Sequence, residues 1–74
     1  GLFLSPNPAN SYLELLSSQD AVVKIYSKIG EQIRTENLVI GVNRIDLSNF
    51  KSGIYFLQWK TKNFSQLKKL IVLH

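Results

Sequence analysis

Seventy-four residues without a cysteine make one small domain and exclude disulfide staples, thiolate metal sites and a cysteine nucleophile. Apolar residues form 45% of the chain, enough for a packed core and too many for disorder, yet no apolar run is long enough to span a bilayer. The net charge of +4 is uneven: residues 1–46 carry four basic and five acidic side chains, whereas residues 47–74 carry Lys51, Lys60, Lys62, Lys68 and Lys69 with no acid.

In chain order, "LFLS" predicts a strand over residues 2–5. The "SPNPAN" that follows ends it. Pro6 and Pro8 lack amide protons and push Ser5 and Asn7 toward extended geometry, so this stretch is expected to divide two strands and let the chain change sheet. In "YLELL", Leu13 and Leu15 lie opposite Tyr12, Glu14 and Leu16, a period of two that predicts a strand over 12–16. "AVVKIYSK" repeats the pattern over 21–27, with Ala21, Val23 and Ile25 on one face and Val22, Lys24 and Tyr26 on the other. Gly30 predicts a tight hairpin into a strand over 31–36, and Gly41 a turn into a strand over 42–47, where Ile45 and Leu47 alternate with Arg44, Asp46 and Ser48. Over 54–61, Tyr55, Leu57 and Trp59 alternate with Ile54, Phe56, Gln58 and Lys60.

The last strand, over 66–73, has two registers. Either Leu70 and Val72 face inward with Lys68 at the rim, or Leu67, Ile71 and Leu73 do so with Lys69; a slip of one residue exchanges the two sets. Only "SNFKSG" and "SSQDAVVKI" have room for a helix, and neither sustains a period of 3.6. Seven short segments separated by frequent turns predict an all-β, immunoglobulin-like antiparallel sandwich.

The chemistry of the chain is sparse. His74, the only histidine, sits at the chain end, where fraying is usual, and the carboxylates Glu14, Asp20, Glu31, Glu36 and Asp46 form no pair in sequence. No loop clusters metal ligands and the glycines do not form a phosphate cradle, so no catalytic residue, metal or cofactor is expected. In "SGIYFL", Gly53 suits a positive φ or a spot that side chains would obstruct, while Tyr55 is placed for a tyrosine corner. Trp59, Tyr26, Tyr12 and Phe64 could stack on sugars or bases, but so small a domain needs its aromatics for the core, and no nucleic-acid motif is present. The basic final third would attract an acidic partner or an anionic surface, although lysine on strand edges also blunts aggregation.

The ordered series "LSPNPAN", "AVVKIYSKIG", "GVNRIDLSNFKSGIYFLQWKTKN" and "LKKLIVL" resembles the type A C-terminal sorting domain of the type IX secretion system of Bacteroidota, from Leu2 to His74. By position, Pro6, Asn7 and Pro8 match its proline motif, Gly53 and Tyr55 its glycine–tyrosine motif, and Lys68, Lys69, Leu70, Ile71 and Val72 its final lysine strand. "QWKTKNFSQ" is bulkier and more basic than the Gly-rich hairpin often found there. The resemblance implies that residues 1–74 are a sorting domain cut from a larger cargo protein, whose own signal peptide is absent from "GLFLSPNP". It further implies passage through the periplasm, recognition by an outer-membrane β-barrel shuttle and the translocon, and removal by a sortase-like surface protease that joins the cargo to lipopolysaccharide, leaving it on the cell surface or secreted. The last strand is expected to lie at a sheet edge, open to strand addition by a partner and to weak self-association. The alternative is an accessory module that binds polysaccharide through Trp59 and Tyr26.

Overall fold

A computed structural model describes residues 1–74. Period-two alternation becomes seven strands: β1 (Leu2–Ser5), β2 (Tyr12–Ser17), β3 (Ala21–Ser27), β4 (Gln32–Leu38), β5 (Gly41–Asp46), β6 (Gly53–Lys60) and β7 (Ser65–Val72). They pair antiparallel in two sheets, ordered β1-β2-β5 and β4-β3-β6-β7. The result is the expected all-β sandwich. Strand ends agree with the sequence reading to within two residues; the largest shift is at the end of β4, which runs on to Leu38, while β5 stops one residue early, before Leu47. Leu47 is still fully buried, held by its N–H donating to the Ser11 carbonyl at 2.9 Å.

The core is the inward set of each strand. Leu13 and Leu15 of β2 and Ile45 of β5 meet Val23, Ile25, Leu57 and Trp59 across the layers. Fully burying each such side chain contributes about 1.5–3 kcal/mol, so a few of them decide the stability of a domain this size. Trp59 is a core residue: it is 2% exposed and its Nε1 donates to Ser17 Oγ at 2.9 Å, a bond between the two sheets. Ser17 in turn donates to the Gln19 carbonyl, and every buried side-chain polar atom has a partner.

The ambiguity in β7 resolves toward Leu70 and Val72. Both are fully buried, Lys68 is half-buried, and Leu67 and Leu73 face solvent. The deciding fact is register: Val72 lies opposite Gly53, Leu70 opposite Tyr55 and Lys68 opposite Leu57, so the inward faces of β6 and β7 coincide.

The expectation that "SPNPAN" moves the chain between sheets is not met. β1 and β2 pair with each other in the same sheet, from Leu2 opposite Ser17 to Ser5 opposite Glu14. The turn instead reaches across to the other sheet while the chain stays in its own. Its Ser5–Pro6 and Asn7–Pro8 bonds are both cis.

Candidate functional site

An edge strand presents a row of N–H and C=O groups that no neighbour satisfies. β7 is such an edge, with β6 as its only neighbour in the sheet. The "SPNPAN" turn covers the far half of that row. Asn7 Nδ2 donates to the Lys69 carbonyl at 2.9 Å, and Asn7 Oδ1 accepts from the Ile71 N–H at 3.0 Å. A carboxamide carries the same donor and acceptor as a peptide group, so Asn7 acts as one rung of a β-ladder. Ala9 continues it with its own backbone, donating to the Ile71 carbonyl and accepting from the Leu73 N–H, both at 2.8 Å, in a parallel bridge to Val72. Pro6 and Pro8 flank Asn7 on the exposed side of the turn and bring no N–H of their own that would need a partner.

The near half of β7 is tied differently. Gln66 Oε1 accepts from the Leu2 N–H at 3.0 Å, which links β7 to β1 of the facing sheet. The edge expected to be free is therefore bridged at both ends, and the opening for strand addition narrows to the stretch around Leu67. β4, at the other edge of the sheet, has no strand beyond it.

The glycine–tyrosine motif flanks β7 on its inner side. Tyr55 is buried, and its hydroxyl donates to the Lys51 carbonyl at 2.5 Å, four residues upstream. That is the geometry of a tyrosine corner. Its ring also packs edge-on against Phe50, with centroids 5.3 Å apart. A Cβ on Gly53 would meet no atom within 4 Å, so obstruction does not explain the glycine; its φ of +156° does. Tyr55→Phe keeps the packing and removes only the corner bond. It should lower stability by about 1 kcal/mol, seen as a lower denaturation midpoint. Export of the folded variant should be unchanged.

Lys68 and Lys69 do not form one patch. Successive strand residues face opposite sides, so Lys68 sits at the inner rim opposite Leu57 and Lys69 on the outer face opposite Phe56. Neither pairs with a carboxylate; the two ion pairs are Arg34–Glu36 and Arg44–Glu14. Leu70 and Val72 have no accessible surface, and Ile71 is half-buried.

The strands thus gather Asn7, Gly53, Tyr55 and the Lys68–Val72 segment, which the sequence scatters, around β7. Sequence reasoning missed Ala9, Asn10 and Gln66, because a small or neutral residue gives no signal of a partner more than fifty positions away. The chain end is also better held than expected. The His74 N–H donates to Ser52 Oγ at 2.9 Å, and its ring nitrogens lie 3.2 Å from Asn10 Oδ1 and 2.6 Å from the Phe50 carbonyl. None of those partners is a carboxylate. One carboxyl is perturbed: Asp46 is held below its ordinary value by the Ser48 backbone N–H, then by the Ser48 hydroxyl and the charge of Arg34.

Among known families, the secretion system C-terminal sorting domain matches residues 4–73. The chain belongs to this family. The matched span contains the Asn7 clamp, the tyrosine corner and all of β7. A search of curated proteins returned no match. Among solved structures, the sorting domain is similar in fold to part of PorZ from Porphyromonas gingivalis, described as an essential bacterial surface component of the type-IX secretion system. The TM-score is 0.84 at 17% identity, over 100% of this chain and 12% of that one. At that identity the likeness is one of fold. Family membership makes the sorting domain part of a cargo protein of the type IX secretion system, a signal for export to the cell surface or beyond.

Proposed function

We propose that residues 1–74 form the sorting domain of a larger cargo and are read in the folded state, while the cargo is in the periplasm. The reader is an outer-membrane β-barrel shuttle that delivers cargo to the translocon. A sortase-like protease at the surface then removes the domain and joins the cargo to lipopolysaccharide. The observation that supports this reading is the Asn7 clamp, which makes the proline motif and the lysine strand one continuous surface. A preorganised epitope spares the reader the entropy of ordering it. In this scheme Pro6, Asn7, Pro8, Lys69 and Ile71 offer surface and Lys68 the rim, while Gly53, Tyr55, Leu70 and Val72 act by holding β7 in place. Edge strands allow weak self-association of the free domain. The polysaccharide alternative loses its main platform, since Trp59 lies in the core.

The test fuses residues 1–74 to a periplasmic reporter in a host with this secretion system. Surface display is the expected result, and a reporter that stays periplasmic defeats the proposal. Lys69→Glu and Lys68→Glu, made separately, should leave the thermal melt within about 0.5 kcal/mol of wild type. Lys69→Glu should lose most display and Lys68→Glu less, because only Lys69 shares the outer surface with the turn.

A further inference from the structure

One end of the sandwich holds several exposed apolar side chains on neighbouring loops. The β4–β5 loop holds Val39 and Ile40 at 61% and 68% exposure, and the β6–β7 hairpin holds Phe64 at 63%. The two loops are neighbours: Val39 lines a shallow cleft with Lys24, Lys60 and the hairpin's Lys62, and Ile40 and Phe64 line clefts that share Gly1 and Gln66. The backbone of the apolar tip is also tied by side-chain hydrogen bonds. The Val39 N–H donates to Asn43 Oδ1 at 3.0 Å, the Ile40 N–H to Asp20 Oδ1 at 2.9 Å, and Asn43 Nδ2 to the Val39 carbonyl at 2.9 Å. The sequence thus spends side-chain hydrogen bonds on holding two bare aliphatic residues out in water, which is unfavourable for an isolated domain.

Charge surrounds that tip. Val22 is opposite Lys60 and Lys24 opposite Gln58, so both lysines stand on the outer face of the four-stranded sheet, and Lys62 follows in the hairpin. None of the three is within ion-pair distance of a carboxylate. The one acid in the cleft, Asp20, is engaged by Ile40. The opposite layer is different: on its outer face Arg44 already pairs with Glu14.

We infer that this end is a peripheral membrane site, in which Val39, Ile40 and Phe64 enter the headgroup region of an anionic bilayer while Lys60 and Lys62, backed by Lys24, meet lipid phosphates. Exposed aliphatic and aromatic tips ringed by unpaired lysines match an interface that is apolar below and negative above. A nucleic acid would not reward bare Val39 and Ile40, which have no π-face for a base to stack on. The site is separate from the Asn7 clamp, so it stands or falls independently of the sorting proposal.

The test is co-sedimentation of the 74-residue domain with vesicles, folding being monitored by Trp59 fluorescence. The domain should bind mixed phosphatidylcholine–phosphatidylglycerol vesicles and ignore pure phosphatidylcholine. K60Q/K62Q should weaken binding about thirty-fold. Phe64→Ser should weaken it about tenfold. K28Q/K51Q, which removes the same charge from the turns at the other end, should stay within about threefold of wild type. Failure to bind the mixed vesicles overturns the inference, as does an equal loss in K28Q/K51Q. Tighter binding to a single-stranded oligonucleotide that is indifferent to Phe64→Ser would overturn it too, in favour of a nucleic-acid site.

Discussion

Leu70→Ala is expected to cost the domain about 2–5 kcal/mol, because a fully buried leucine leaves a cavity as well as lost transfer energy. A single domain this size has total stability on the order of 4–11 kcal/mol. The variant should therefore show a much lower denaturation midpoint at unchanged slope, and a sizeable unfolded population at growth temperature. Display of a fused reporter should collapse although Lys68 and Lys69 remain. Leu67→Ala, in the same strand but on the solvent side, should stay within about 0.5 kcal/mol of wild type. If both variants melt alike, the register assigned to β7 is wrong. If Leu70→Ala folds normally and still loses display, Leu70 is read directly.

Asn7→Ala tests the clamp. It removes the acceptor for the Ile71 N–H and the donor to the Lys69 carbonyl, both at an exposed edge where water replaces them. The stability loss should be only about 1 kcal/mol. The functional loss should be far larger: the turn comes off β7, the composite surface separates and a stretch of open edge appears. Amide exchange at Ile71 should quicken well beyond that of Leu70, display should drop severalfold, and the free domain should begin to associate at high concentration. Asn7→Asp keeps the acceptor but sets a carboxylate against the Lys69 carbonyl, so it should be no better than alanine. Unchanged exchange at Ile71 in Asn7→Ala would remove the clamp as an explanation. Unchanged display despite faster exchange would make the clamp structural only.

The strands were legible because their alternation is local. "YLELL" and "GIYFLQW" each state which side chains face inward without reference to any partner, and both do so in the structure. The tyrosine corner was legible for a similar reason, since the acceptor on Lys51 is only four residues from Tyr55. "LKKLIVLH" was not, because apolar residues occupy both faces and only the pairing with β6 selects one. The role of the prolines was misread for lack of that same long-range information. Their local effect, ending β1, was visible, but the residue they frame bonds to a strand more than sixty positions away. Of the candidate site, the members were legible as a family pattern, and their convergence on β7 was not.

β7 is the latest strand to be synthesised, yet it supplies Leu70 and Val72 to the interior and is the rail to which Asn7 fastens. Nothing made earlier can substitute for it. Without β7 the core stays open, so on the folded-state reading proposed above a polypeptide cut short inside that strand would carry no readable address. On that reading, the packing that shapes the label would also inspect the completeness of the message.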